Sequence, residues 1–112
     1  MRQTNLTLSE LISIIDGKMD TYYPICLILN EIGEIYISKS GEDTSAAENT
    51  LVSILSSANV FNQQIALSYL LLKEPREENK QAIKDYISKN LNVAGMVRQV
   101  LNVKKIEPWF IF

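Results

Sequence analysis

Histidine is missing from all 112 positions of the chain, and cysteine occurs once, as Cys26. Loss of histidine removes the commonest general base and the commonest transition-metal ligand together. A catalytic triad would then need a lysine or carboxylate base, and no serine stands at Ser-x-x-Lys spacing. Glycine-rich phosphate loops and paired cysteines are absent too, so neither a catalytic role nor a cofactor nor a metal is expected. One cysteine excludes an internal disulfide and fits a reducing compartment. Four glycines and three prolines are too few for an all-β chain built on many tight turns. The N-terminus has no basic stretch followed by an apolar core, so no signal peptide is expected. The longest apolar run, Pro24 to Leu29, is far short of a membrane span. A cytoplasmic setting follows as the expectation.

What the chain does have is apolar residues at helical spacing. At 46% hydrophobic content it can bury one core, and residues 1–112 are read as a single domain. Thr7-x-x-Glu10 is a capping box that opens a first helix with Leu8, Leu11, Ile12 and Ile15 on one face. Gly17 suits the left-handed turn that ends it. A second helix is predicted from Asp20 as N-cap, with Tyr22, Tyr23 and Pro24 in or just beyond its first turn. Ile25 to Ile32 make it apolar nearly all round, which predicts a buried helix with Cys26 as a packing thiol. Glu34-Ile35-Tyr36-Ile37-Ser38 alternates polar and apolar. A strand is the rival there; helix is favoured because no second strand is present to pair with it.

Ser45-x-x-Glu48 reads as a second capping box opening a third helix. A turn at Ser56 to Asn59 leads into a fourth over about residues 60–73. Pro75 fits the first position of a fifth helix, about 75–89, whose core stripe is Ala82, Ile83, Tyr86 and Ile87. Its Arg76, Lys80 and Lys84 form a basic stripe. A short sixth helix is expected from Asn90 or Asn92 through Leu101. The aromatic tail Trp109-Phe110-Ile111-Phe112 is expected to cap the last pair or dock on a partner.

Forty residues separate two similar stretches: Leu11-Ile12-Ser13-Ile14-Ile15 and Leu51-Val52-Ser53-Ile54-Leu55, followed by Ile25/Ile65 and Leu27/Leu67. A self-match at such an offset marks a repeat architecture. It makes Cys26 and Ala66 equivalent positions. Leu51 to Leu70, with Ala66 at a small buried position, resembles a HEAT-type repeat, and Pro24 to Gly33 is similar to the second helix of such repeats. The resemblance covers about residues 10–72 well and 77–102 weakly. It implies an all-α fold: a short HEAT-like solenoid of about three antiparallel helix pairs, with a compact non-repeat helical bundle as the alternative.

Stacked helix pairs make a binding surface more readily than a cleft. The expected function is therefore non-catalytic protein binding on the face lined by the second helices, with Asp20, Tyr22, Tyr23, Glu31, Asn62 and Gln63 as candidate contacts. Exposed tyrosines bury large area with little rotamer entropy. Glu31 and Glu34 are read as surface acids on one helical face. Residues 1–56 hold eight acids and three bases, and residues 57–112 five acids and eight bases. The sharper expectation is a small bacterial immunity or inhibitor protein binding a basic partner through its acidic N-terminal half. The alternative is nucleic-acid binding through Arg76, Lys80 and Lys84, which the net charge of −2 disfavours.

Overall fold

The computed structural model describes residues 4–38 and 42–90. These form α1 (Leu8–Ile15), α2 (Ile25–Ser38), α3 (Glu42–Ile54), α4 (Val60–Leu70) and α5 (Glu77–Lys89), with no strand among the described residues. The fold is all-α, as the spacing predicts. No helix among the described residues is long and apolar enough to cross a membrane. The expected sixth helix and the aromatic tail lie outside the described residues, as do Lys39 to Gly41.

α1 begins as expected. The Thr7 hydroxyl accepts from the Glu10 N–H, and the Glu10 carboxylate accepts from the Thr7 N–H. It ends at Gly17, whose φ of 77° is one that L side chains resist. The Lys18 N–H then reaches back to the Ser13 carbonyl at 2.8 Å, closing the helix end.

Three predicted helix starts are corrected. α2 opens at Ile25, so Asp20 is not its N-cap and Tyr22 and Tyr23 precede it. Pro24 disfavours helical dihedrals at Tyr23, and its own carbonyl takes the first bonds, from the N–H groups of Leu27 (3.1 Å) and Ile28 (3.3 Å). α3 starts at Glu42, so Ser45 lies inside the helix and no capping box forms; Glu48 is instead buried. α5 starts at Glu77 with Arg76 as N-cap, leaving Pro75 before the helix, where it is buried.

The helical reading of residues 34–38 holds. A strand would bury Ile35 and Ile37 together; here Ile35 and its neighbour Tyr36 are buried while Ile37 is 37% exposed. Gly33 is spanned by α2 rather than ending it. A Cβ at Gly33 would fall 2.3 Å from the Tyr69 ring, so the glycine offsets its poor helix propensity by letting α4 approach closely.

α2 is the centre of the fold, with α1, α3 and α4 all packed on it. Thr4, just before α1, bonds Glu31 in mid-α2, so α1 runs antiparallel to α2. Between α2 and α4 the pairings are Asn30 with Tyr69 and Tyr36 with Lys73. Both partners advance together, so α2 and α4 are parallel. α3 and α5 are parallel as well. Glu48 and Asn49 meet Arg76 and Asn79 near the start of α5, while Val52 to Ser56 face Ala82 to Lys89 across a shallow groove.

The buried positions show how far the forty-residue echo extends. In the first helices Leu11 matches Leu51 and Ile14 matches Ile54, forty apart and all buried. In the second helices the buried set Ile28, Leu29 and Ile32 corresponds to Ala66, Leu67 and Leu70, thirty-eight apart. Ile14 and Ile28 are fourteen positions apart and Ile54 and Ala66 twelve, with the difference falling around the connections at 16–24 and 55–59. Cys26 is corrected from packing thiol to exposed residue, whereas Ala66 is fully buried.

Candidate interaction surface

The exposed large apolar side chains of the described chain are Tyr22, Tyr23, Ile25, Ile37, Val60 and Phe61. Scattered single cases need no explanation, but five of these six lie at the start of α2 or α4. Because the two helices are parallel, these starts share one end of the molecule. Tyr69 meets Gly33 and Asn30. Eight residues earlier on each helix, about 12 Å down the axis, come Phe61 and Ile25.

The seam is built from its hydrogen bonds outward. The Asn30 side chain donates to the Cys26 carbonyl at 2.7 Å and accepts from the Tyr69 hydroxyl at 2.8 Å. That turns Asn30 toward Tyr69 on α4; Ile65 and Phe61 precede Tyr69 on that helix at i−4 and i−8. Burial, and then the charge of Glu34, raises the Tyr69 phenol above its ordinary value. At the open end the Tyr23 N–H donates to the Thr21 hydroxyl at 3.0 Å, a short side-chain turn that holds Tyr22 fully in solvent. At the far end Tyr36 donates to the Lys73 carbonyl (3.0 Å), Lys73 donates to the Tyr36 carbonyl (3.1 Å), and the lysine ammonium lies 5.2 Å from the Tyr36 ring centroid, within cation–π range.

Asp20, Tyr22 and Tyr23 are exposed at the open end, and Asn62 is half-buried in the first turn of α4. Glu31 is corrected from surface acid to internal group: it is 2% exposed, and it accepts from the Thr4 N–H (3.0 Å) and hydroxyl (2.6 Å). The pairing of Glu31 and Glu34 as two solvated acids fails for the same reason. Gln63 is turned inward, donating to the Ser57 carbonyl and accepting from the Tyr86 hydroxyl at 3.1 Å.

Phe61, apolar and in the first turn of α4, is 77% exposed. Its register held the clue. At 100° per residue Phe61 falls about 180° from Leu70 and about 140° from Ala66, opposite the buried stripe.

No family model, curated protein or solved structure matches this chain. The candidate surface therefore rests on geometry alone. Among the described residues no group of three His, Cys, Asp or Glu side chains is placed to hold a metal ion. The basic stripe is largely engaged within the molecule: Arg76 pairs with Glu48 (3.1 Å) and Glu78 (2.7 Å), and Lys80 with Glu74 (2.9 Å) and Glu77 (2.7 Å). Hydrogen bonding to Glu77 and then Glu74 raises the Lys80 ammonium, and the same lysine lowers the Glu77 carboxyl.

Proposed function

We propose that this chain is a non-catalytic protein-binding module and that its contact face is the α2–α4 seam with the aromatic end formed by Tyr22, Tyr23 and Phe61. The observation that carries the reading is the gathering of exposed aromatic and aliphatic side chains where two parallel helices begin. Tyrosine and phenylalanine in such a position gain on the order of 1.5–3 kcal/mol each when fully covered. The parallel course of α2 with α4, and of α3 with α5, supports reading the helices as stacked pairs of the HEAT-like kind.

In its sharper form the module is a small inhibitor or immunity protein that covers a basic partner. Exposed Asp16, Asp20 and Asp43 support that form. The acidic surface is narrower than the acid count of the N-terminal half, because Glu31 and Glu48 are internal. The nucleic-acid alternative has less behind it, since Arg76 and Lys80 already face carboxylates.

A photo-crosslinking residue placed at Tyr22, Phe61 and, as a control, Gln81 on α5 tests the reading in the cells of origin. One adduct of the same mass from positions 22 and 61, and none from 81, is expected. Tyr22→Ala and Phe61→Ala should then each weaken the purified complex by about 1–2 kcal/mol. Equal adducts from all three positions, or full affinity in both variants, removes the α2–α4 face from the function.

A further inference from the structure

Within residues 19–38 and 49–72 the charged side chains are all acidic. From Met19 to Ser38 the ionisable acids and bases are Asp20, Glu31 and Glu34, and from Asn49 to Leu72 there are none. Glu31 is internal. What remains toward solvent is an aromatic and aliphatic strip flanked by two carboxylates, Asp20 beside Tyr22 and Glu34 beside Tyr69. The nearest described bases, Lys18 and Lys73, stand at the two ends, and Lys73 is held against the Tyr36 ring and carbonyl.

We propose that the occupant of this seam is an amphipathic segment of another protein whose apolar residues cover Phe61 and Tyr22 and whose lysines or arginines meet Asp20 and Glu34. This rests on the reading of the seam as a protein-contact face and specifies the chemistry of what it contacts. A second copy packed through this same seam would set Asp20 and Glu34 toward the same acids, with described bases only at the two ends of the strip, and like charges across an interface are costly. An anionic polymer meets the same repulsion. The positive ends of the two helix dipoles do not reverse the sign. Their effect fades within the first turn, and in α4 that turn is already served by Asn59, which accepts from the Asn62 and Gln63 N–H groups.

Cys26, the single cysteine, is exposed in the first turn of α2 and can carry an environment-sensitive fluorophore on the full chain. The probes are two designed helical peptides of equal length with one shared Leu/Phe face, one bearing lysines on its polar face and the other glutamates. The lysine peptide should bind about tenfold more tightly at 0.15 M salt, the size expected of two partly exposed charge pairs. Asp20→Asn combined with Glu34→Gln should erase that preference, and Phe61→Ala should weaken both peptides alike. Equal binding of the two peptides, still weakened by Phe61→Ala, overturns the basic segment and leaves the contact face standing. Binding that Phe61→Ala does not touch, or no binding at all, counts against both. Sedimentation showing a dimer that Phe61→Ala dissociates makes a second copy the occupant and overturns the proposal.

Discussion

The two parallel seams of this molecule are closed differently. α2 and α4 meet by shape, with Gly33 making room for the Tyr69 ring and leaving the outer edge apolar and almost uncharged. α3 and α5 meet by charge. The Glu48 carboxylate, 2% exposed, accepts from the Arg76 backbone N–H (3.2 Å), the Arg76 guanidinium (3.1 Å) and the Asn79 amide. Arg76 also donates to Asn49 at 2.6 Å. The α2–α4 edge thus keeps exposed apolar side chains, while at the start of α5 the charges of Glu48, Arg76 and Lys80 are paired within the molecule. A surface that already satisfies its own polar groups has little left to offer a partner, which is why the binding face is assigned to α2 and α4.

The largest effect that would break this contrast is at Glu48. Glu48→Ala leaves the Arg76 and Asn79 donors without their acceptor. It should cost on the order of 2–3 kcal/mol, at the low end for a buried ion pair because Arg76 is partly exposed. Urea unfolding measures it; a loss below half a kcal/mol would mean that the α3–α5 seam is not closed by charge.

Next comes Gly33→Ala. Clash with Tyr69 outweighs the gain in helix propensity, for a net loss of about 1–2 kcal/mol. In a Tyr69→Ala background the same substitution should become neutral or stabilising, and a double-mutant cycle reads the sign change. Additive effects would show that Gly33 is not there to admit the ring.

The smallest effect at neutral pH, visible only in base, concerns the phenols. Burial is the main cause that raises the Tyr36 hydroxyl well above its ordinary 10.0, and the Tyr69 hydroxyl is raised as well. A raised folded-state value means the stabilisation is complete below pH 10 and is lost as the pH climbs from there toward the folded value, because only the unfolded chain ionises freely. Stability followed by circular dichroism should therefore fall above pH 10, and Tyr36→Phe should flatten that fall. An unchanged alkaline slope in Tyr36→Phe assigns the sensitivity elsewhere.

Much of the fold was legible because it is local. The Thr7/Glu10 box and the left-handed Gly17 depend on neighbours a few residues away. The errors at Glu48 and Glu31 share one cause. Ser45 and Glu48 satisfy a capping-box pattern, but the carboxylate found better donors in Arg76 and Asn79, twenty-eight and thirty-one positions on. Glu31 sits in an apolar run as a solvated acid would, until Thr4 folds over it. Cys26 reads as a packing thiol because it stands in an apolar run, yet it is exposed at the start of α2.

By itself the sequence determined that the described chain is helical, where α1 begins and ends, and which helices are apolar, since these follow from spacing and from bonds within a few residues. Tertiary structure decided which carboxylates are internal, that Gly33 serves Tyr69, and that the starts of α2 and α4 come together. Those outcomes depend on which distant donors and rings arrive at each position, and the direction in which one helix lies on another is not written in the periodicity of either.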